Sequence, residues 1–129
     1  MAAGIHDITI EQGASWRLVL NWKGDDGYVV PLNGWQARMQ VRETYASKTP
    51  LLDLTTENGR ITLDAANGVI AIEIPAAETA AVPINHTKAT WVDGKQAQQL
   101  VYDLEMIAPS GQVTRLLQGA VLFTPEVTR

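Results

Sequence analysis

Apolar and polar residues alternate in short runs along most of this chain, and turn-forming residues separate the runs. The clearest alternation covers residues 35–42, where odd-numbered positions are apolar and even-numbered positions are Gln or Arg. Successive side chains of a strand point to opposite faces of a sheet, so this pattern predicts a strand with one buried and one wet face. Residues 15–22 repeat the pattern, with apolar side chains at Trp16, Leu18, Leu20 and Trp22.

The longest patterned stretch is residues 100–124, which predicts a β-hairpin. Two apolar runs flank Ala108-Pro109-Ser110-Gly111. The fixed φ of Pro109 suits the second position of a type I turn, and Gly111 suits a left-handed residue after it. On the return arm the adjacent Leu116 and Leu117, followed by Gly119, predict a bulge or bend.

Shorter strands are predicted at residues 5–10, 28–31, 51–55, 60–64, 69–74 and 89–92. Asn-Gly pairs at positions 58–59 and 67–68 mark tight turns between three of them. Residues 75–82 form the only helical candidate, with Pro75 at its start and Pro83 after its end. We therefore predict one all-β domain over residues 1–129. It is an antiparallel β-sandwich, immunoglobulin-like or jelly-roll-like, of about eight strands with one short helix near 75–82.

The amino-acid composition is typical of a folded domain and argues against several classes of function. The 129 residues are 46% hydrophobic and 19% charged, with a net charge of -4. This balance argues against bulk binding to nucleic acid or to an anionic membrane. The absence of cysteine excludes disulfides, thiolate zinc sites and cysteine nucleophiles. The N-terminal residues lack the pattern of a signal peptide, which predicts synthesis in a cytoplasm without signal-directed export.

Candidate catalytic groups are few, and we expect no enzyme, no cofactor and no bound metal. His6 and His86 have no metal-binding spacing, and no serine lies in a nucleophile motif. Asp103 and Glu105 share a strand face and could act as paired carboxylates or hold a cation. The favoured interpretation is a solvated strand face on which Arg115 or another cation across the hairpin pairs with them.

Aromatic residues divide into two groups. Trp16, Trp22, Trp35 and Tyr102 are in phase with core positions of predicted strands, so we expect them in the core. Tyr45 and Trp91 lie outside clear strands and are the better candidates for an exposed contact.

The C-terminal segment also resembles a known family. Residues 102–128, YDLEMIAPSGQVTRLLQGAVLFTPEVT, are similar to the C-terminal segment of bacteriophage and prophage tail-region structural proteins, whose form is YDLxxxxPxGxVxRLLxGxVxxxPEVT. The resemblance continues upstream through LLDLTTENGRITLDAANGVIAIEIPAAETAAV and WQARMQVRE, and residues 84–98 depart from it. A similar arrangement is found in the N-terminal domain of siphophage upper baseplate proteins. That domain is a β-sandwich that docks fibres or receptor-binding proteins.

The resemblance implies a non-enzymatic virion protein, made in the host cytoplasm, that anchors fibres or receptor-binding proteins at the tail, baseplate or neck. Its partners would be other virion proteins and further copies of itself. The predicted interface residues are Arg38, Gln40, Arg42, Tyr45, Trp91, Pro125, Glu126 and Val127. Residues 124–129 could add a strand to a neighbouring subunit. A solvated face and a frayed terminus explain the same residues equally well.

Two other functions fit the same sequence. One is a β-sandwich module that binds a carbohydrate or host receptor through exposed aromatic rings and the acidic loop at Asp25 and Asp26. The other is a head decoration protein of the same fold.

Overall fold

The computed structural model describes residues 3–128 and is built mainly of strands. Ten strands and one helix occur in the described residues: β1 Gly4–Ile5, β2 Ile8–Glu11, β3 Trp16–Asn21, β4 Gln36–Arg42, β5 Leu52–Thr55, β6 Ile61–Asp64, β7 Val69–Ile74, α1 Ala76–Ala81, β8 Thr90–Val92, β9 Lys95–Ile107 and β10 Val113–Thr124. The all-β class and the single short helix are confirmed. The structure has ten strands against about eight predicted. The predicted strand at residues 5–10 is divided into β1 and β2, and the predicted strand at residues 89–92 is β8.

The strands form two sheets. The large sheet has the order β1-β10-β9-β4-β5, with β2 also paired to β10 and β8 paired to β9. The small sheet has the order β3-β7-β6. The predicted hairpin is the centre of the large sheet, and its pairing shifts register between Arg115 and Leu117, which confirms the predicted bulge. Gly111 has a φ of 91°, as the predicted turn requires.

The prediction of wholly antiparallel pairing is wrong, because both β1 and β2 run parallel to β10. Between them, at His6 and Asp7, the chain stays hydrogen-bonded to the hairpin, and the His6 N–H donates to the Gln118 carbonyl at 3.0 Å. The Asp7 carboxylate accepts a hydrogen bond from the backbone N–H of Ala120 at 2.9 Å, and the His6 carbonyl accepts one from the Tyr102 hydroxyl at 2.5 Å. Gly119 permits this approach, since a Cβ there would lie 2.4 Å from the His6 oxygen. The large sheet is therefore mixed.

Both sheets contribute to one cluster of buried side chains. Met39, Leu54, Leu104 and Phe123 come from the large sheet, and Ile72 represents the small sheet; each of the five is at most 1% exposed. These residues occupy the inward positions of their strands, as the alternation predicts. The buried face of each sheet is thus set by the sequence pattern.

The helix α1 is anchored by a buried threonine. The hydroxyl of Thr79 accepts a hydrogen bond from the Gly13 N–H at 3.0 Å and lies 2.8 Å from the Ala14 carbonyl oxygen. This contact joins α1 to the turn between β2 and β3. No helix within residues 3–128 has the length and apolar character needed to span a membrane.

Two local predictions fail. Residues 28–31 do not form a strand, and Val29 makes only a single bridge to Lys23. Trp16, Trp22 and Trp35 are only partly buried against the core. Trp16 lies on β3, an edge strand of the small sheet that has no neighbour on one side. Trp22 and Trp35 lie just outside β3 and β4, and their rings meet edge to face with centroids 5.3 Å apart.

Candidate functional site

The candidate site is the solvent side of the large sheet, here called the outer face. It is built from the outward side chains of β5, β4, β9 and β10. Strand register aligns Arg38, Glu105 and Arg115 in one row across three strands. The next row contains Asp53, Gln40, Asp103 and Gln118. Three of the predicted interface residues, Arg38, Gln40 and Arg42, thus belong to one surface.

Opposite charges on the outer face are paired across strands. The Nε of Arg38 donates to Oε1 of Glu105 at 2.7 Å. The Nε of Arg115 lies 3.3 Å from Oδ2 of Asp103. This pairing confirms the favoured interpretation of Asp103 and Glu105 as strand carboxylates with cationic partners across the sheet.

Arg42 joins the outer face to the loop that follows β4. Its Nη2 donates to the Gln40 side chain at 2.7 Å, and its Nη1 donates to the Ser47 carbonyl at 2.9 Å. The Ser47 hydroxyl in turn accepts the Thr44 N–H at 3.0 Å, which closes the loop. Tyr45 lies within this closed loop and is 79% exposed. The hydrogen bonds on both sides of Tyr45 hold its backbone in place while its ring stays in solvent.

A shallow depression of about 310 Å³ lies between the Tyr45 loop and the centre of the outer face. Its lining includes Gln40, Arg42, Tyr45, Asp103 and Gln118. Burial raises the pKa of the Asp103 carboxyl, and the negative charge of Glu105 raises it further, while neighbouring arginines oppose the shift. The depression combines an aromatic ring with planar amide, carboxylate and guanidinium groups.

Trp91 does not line this depression. It lies on β8 opposite Gln96 of β9 and is 71% exposed. The tight turn between the two strands places Asp93 and Gly94 at φ 50° and 79°, the left-handed values that a turn of this kind requires. Trp91 is therefore a separate exposed aromatic residue on a hairpin margin.

The predicted C-terminal interface residues are partly held by the fold. Pro125 and Glu126 are half-buried, and the Glu126 N–H donates to the Gln12 side chain at 3.0 Å. Gln12 also donates to the Val82 carbonyl at 3.0 Å. Val127 is 91% exposed, and Arg129 lies outside the described residues. The exposed part of this segment thus starts at Val127.

The other candidate groups have structural or solvent-exposed positions. The Asp26 carboxylate accepts the Tyr28 N–H at 2.9 Å, which is a turn contact. His6 and His86 are exposed. Within residues 3–128 no group of three or more His, Asp or Glu side chains is arranged to hold a metal ion.

Sequence reasoning did not identify Asp53, Gln118 or Ser47 as part of the site. Asp53 and Gln118 join Gln40 and Asp103 only through cross-strand register, and the bulge changes that register on β10. Ser47 contributes a backbone carbonyl, which no side-chain pattern reports. No protein-family model matches the chain, and no curated protein matches it at a significant level.

Proposed function

We propose that the protein is a non-enzymatic structural component of a bacteriophage virion. In this proposal it is an assembly or adaptor module of the tail, baseplate or neck that anchors fibres or receptor-binding proteins and is present in several copies. The observation that carries the contact function is the outer face, a four-stranded sheet surface whose outward polar side chains are exposed or half-buried. The assignment to a phage is supported only by the sequence resemblance, that of residues 102–128 and of the upstream segments named above.

The outer face has properties that suit a protein contact. Its backbone is held by three antiparallel pairings, between β5, β4, β9 and β10, so little ordering is required on binding. Arg42 is already fixed by hydrogen bonds to Gln40 and Ser47. Tyrosine and arginine are frequent anchors of protein interfaces, because they combine a large contact area with hydrogen-bonding groups. Tyr45 and Arg42 are therefore the proposed anchors.

Particles from a strain that encodes the protein provide the first test. Electron micrographs of particles lacking it should show missing fibres or defective tails, and antibody labelling of complete particles should mark the tail. Labelling of the head would favour the decoration-protein alternative. Normal, infectious particles without the protein would contradict the proposal.

A pair of tyrosine variants tests the outer face itself. Tyr45 and Tyr28 are similarly exposed, at 79% and 76%, and only Tyr45 lines the depression on the outer face. Tyr45→Ser should reduce incorporation into particles, whereas Tyr28→Ser should assemble as the wild type does. Equal incorporation of both variants would exclude Tyr45 as an anchor.

The depression supports one second candidate function, binding of a carbohydrate. A flat ring beside amide, carboxylate and guanidinium groups provides a stacking surface and the hydrogen bonds that sugar hydroxyls make. Glycan-array binding that is lost in Tyr45→Ser and kept in Tyr28→Ser would support this function. Array binding that both variants retain would place any sugar elsewhere on the protein.

For the fold we propose a two-layer sandwich in which the mixed large sheet packs on the small sheet. The single cluster of buried side chains from both sheets supports this arrangement. The outer face would then be the solvent side of one layer.

A further inference from the structure

The chain contains three Asn-Gly steps in turns, at Asn33, Asn58 and Asn67. At such a step the glycine nitrogen has no side chain beside it and can approach the side-chain amide carbon of the preceding asparagine. Attack on that carbon forms a five-membered ring and is the first step of deamidation. The reaction requires the asparagine side chain and the peptide that follows it to rotate toward each other. Structural restraint at each step therefore decides which asparagine reacts.

Asn58 is held by hydrogen bonds at both ends of its amide. Its Oδ1 accepts the N–H groups of Thr55 at 3.0 Å and Arg60 at 3.1 Å. Its Nδ2 donates to the Asp53 carbonyl at 2.8 Å. Rotation of the amide toward the Gly59 nitrogen would break these bonds, so the fold opposes reaction at Asn58.

Asn67 is restrained by packing of the residue that follows it. Gly68 is buried, and a Cβ at its position would lie 2.6 Å from a methyl carbon of Val29 and 3.0 Å from the Trp22 carbonyl oxygen. The Gly68 carbonyl also accepts a hydrogen bond from the Trp22 N–H at 2.8 Å. The Asn67 amide also donates to Asp64 at 2.9 Å. The peptide between Asn67 and Gly68 thus has little room to rotate.

Asn33 lacks the hydrogen bonds that restrain the side chains of Asn58 and Asn67. It is exposed at the tip of a turn that is closed by a hydrogen bond of 3.1 Å from the Trp35 N–H to the Leu32 carbonyl. Within residues 3–128, neither the Asn33 side chain nor the Gly34 N–H makes a hydrogen bond. Gly34 is exposed as well, with a φ of 77°. No hydrogen bond has to break before these two groups can meet, in contrast to Asn58 and Asn67.

We propose that Asn33 is a site of spontaneous deamidation in the folded protein, and that the fold protects Asn58 and Asn67. The Gly34 nitrogen forms a bond to Cγ of Asn33 and loses its proton to solvent, while the bond from Cγ to Nδ2 breaks and ammonia leaves. Water then opens the succinimide at either carbonyl, which gives aspartate or isoaspartate. The net reaction consumes one water and releases one ammonia, with no change of oxidation state.

The product changes both charge and geometry at this turn. The new carboxylate takes the formal net charge from -4 to -5. Isoaspartate also adds a methylene to the backbone between Leu32, which is 2% exposed, and Trp35, which packs against the core. The turn lies against the β9–β10 hairpin, since a Cβ on Gly34 would be 2.9 Å from a ring carbon of Pro109. This inference is independent of the proposed virion function.

Tryptic peptide mapping tests the proposal directly. Cleavage after lysine and arginine places the three steps in separate peptides, residues 24–38, 49–60 and 61–88. The folded protein is incubated at mildly alkaline pH, and the deamidated fraction of each peptide is followed by mass spectrometry. Because Asn58 must break several hydrogen bonds to react, its rate should be at least about tenfold below that of Asn33. An Asn33→Gln variant should lose the fast product and keep the slow rates at the other two steps.

The same incubation in concentrated urea is the matched control. Without the fold, the three rates should converge, because each step then has the same local Asn-Gly chemistry. Equal rates at Asn33 and Asn58 in the folded protein would overturn the proposal. An unchanged ratio of rates in urea would also overturn it, because the local sequence and not the fold would then set the selectivity.

Discussion

The hydroxyl of Tyr102 tests how β1 and β2, the two strands that run parallel to β10, are attached to the β9–β10 hairpin. Tyr102 is 3% exposed, and its hydroxyl donates to the His6 carbonyl at 2.5 Å, at the point where the chain passes from β1 to β2. The variant Tyr102→Phe keeps the ring and removes this hydrogen bond. Neutral hydrogen bonds in proteins contribute about 1 kcal/mol. We expect Tyr102→Phe to be less stable than the wild type by about this amount at neutral pH.

The same residue makes the stability difference depend on pH. Burial raises the pKa of Tyr102 to about 12, and the negative charge of Asp7 adds to the shift. The folded protein therefore binds this proton more tightly than the unfolded chain, in which the pKa is about 10. The stabilisation is complete below about pH 10 and is lost as the pH rises toward about 12.

The loss can be estimated at an intermediate pH. At about pH 11 the solution is one unit above the unfolded pKa of Tyr102 and one unit below its folded pKa. At this pH the ionisation of Tyr102 lowers the free energy of unfolding of the wild type by about 1.4 kcal/mol. Tyr102→Phe lacks the titrating group and has no such loss. The wild-type advantage of about 1 kcal/mol should therefore vanish or reverse near pH 11.

Urea unfolding of both proteins between neutral pH and about pH 11 measures this difference. All other titrating groups are shared, so subtraction of the two stability curves removes their contributions. Absorbance of tyrosinate provides a direct control, because the tyrosine that titrates near pH 12 in the wild type should be absent from Tyr102→Phe. Parallel stability curves, or equal stability at neutral pH, would refute the reasoning.

Three further variants test other parts of the structure. Gly119→Ala should lower stability by about 1 to 3 kcal/mol in urea unfolding, because its Cβ would lie 2.4 Å from the His6 carbonyl oxygen. Thr79→Val should cost about 1 to 3 kcal/mol by the same assay, because it removes the hydroxyl that binds the turn between β2 and β3. Burial and the negative charge of Glu105 raise the pKa of Asp103. The Asp103 carboxyl therefore stabilises the fold most at acid pH, and this stabilisation falls as the pH rises from the pKa of the unfolded chain through the higher pKa of the folded protein. The variant Asp103→Asn should lack this pH-dependent decrease in stability. The urea midpoint of the variant should therefore fall less between acid and neutral pH than that of the wild type.

Much of the fold could be predicted because strand alternation and turn residues are local signals. The β9–β10 hairpin, its bulge and α1 follow from residues that lie close together in the sequence. The parallel pairing of β2 with β10 could not be predicted in the same way. Alternation shows which face of β2 is buried and carries no information on which strand lies beside it or in which direction. The half-buried position of Trp16 has the same origin, since it depends on β3 being an edge strand.

The candidate site was predicted only in part, for a related reason. The outward positions of Arg38 and Gln40 follow from the alternation in β4, and the pairing of Asp103 with Arg115 follows from the hairpin. The position of Asp53 in the same row as Gln40 requires the β4–β5 register, which the intervening loop of nine residues leaves open. Rows that cross several strands are a property of the sheet and not of any one segment.

The inner and outer sides of the large sheet are subject to different physical constraints. Inner residues such as Met39 and Leu104 are fully buried, and truncation of such side chains costs about 2 to 5 kcal/mol. Outer pairs such as Arg38 with Glu105 are partly exposed, and ion pairs of that kind contribute at most about 1 kcal/mol. The identity of the outer side chains is therefore weakly constrained by folding. The ring of Tyr45, which is 79% exposed, buries little apolar surface, so Tyr45→Ser should change the free energy of unfolding little, and its proposed contact role can be tested without loss of the fold.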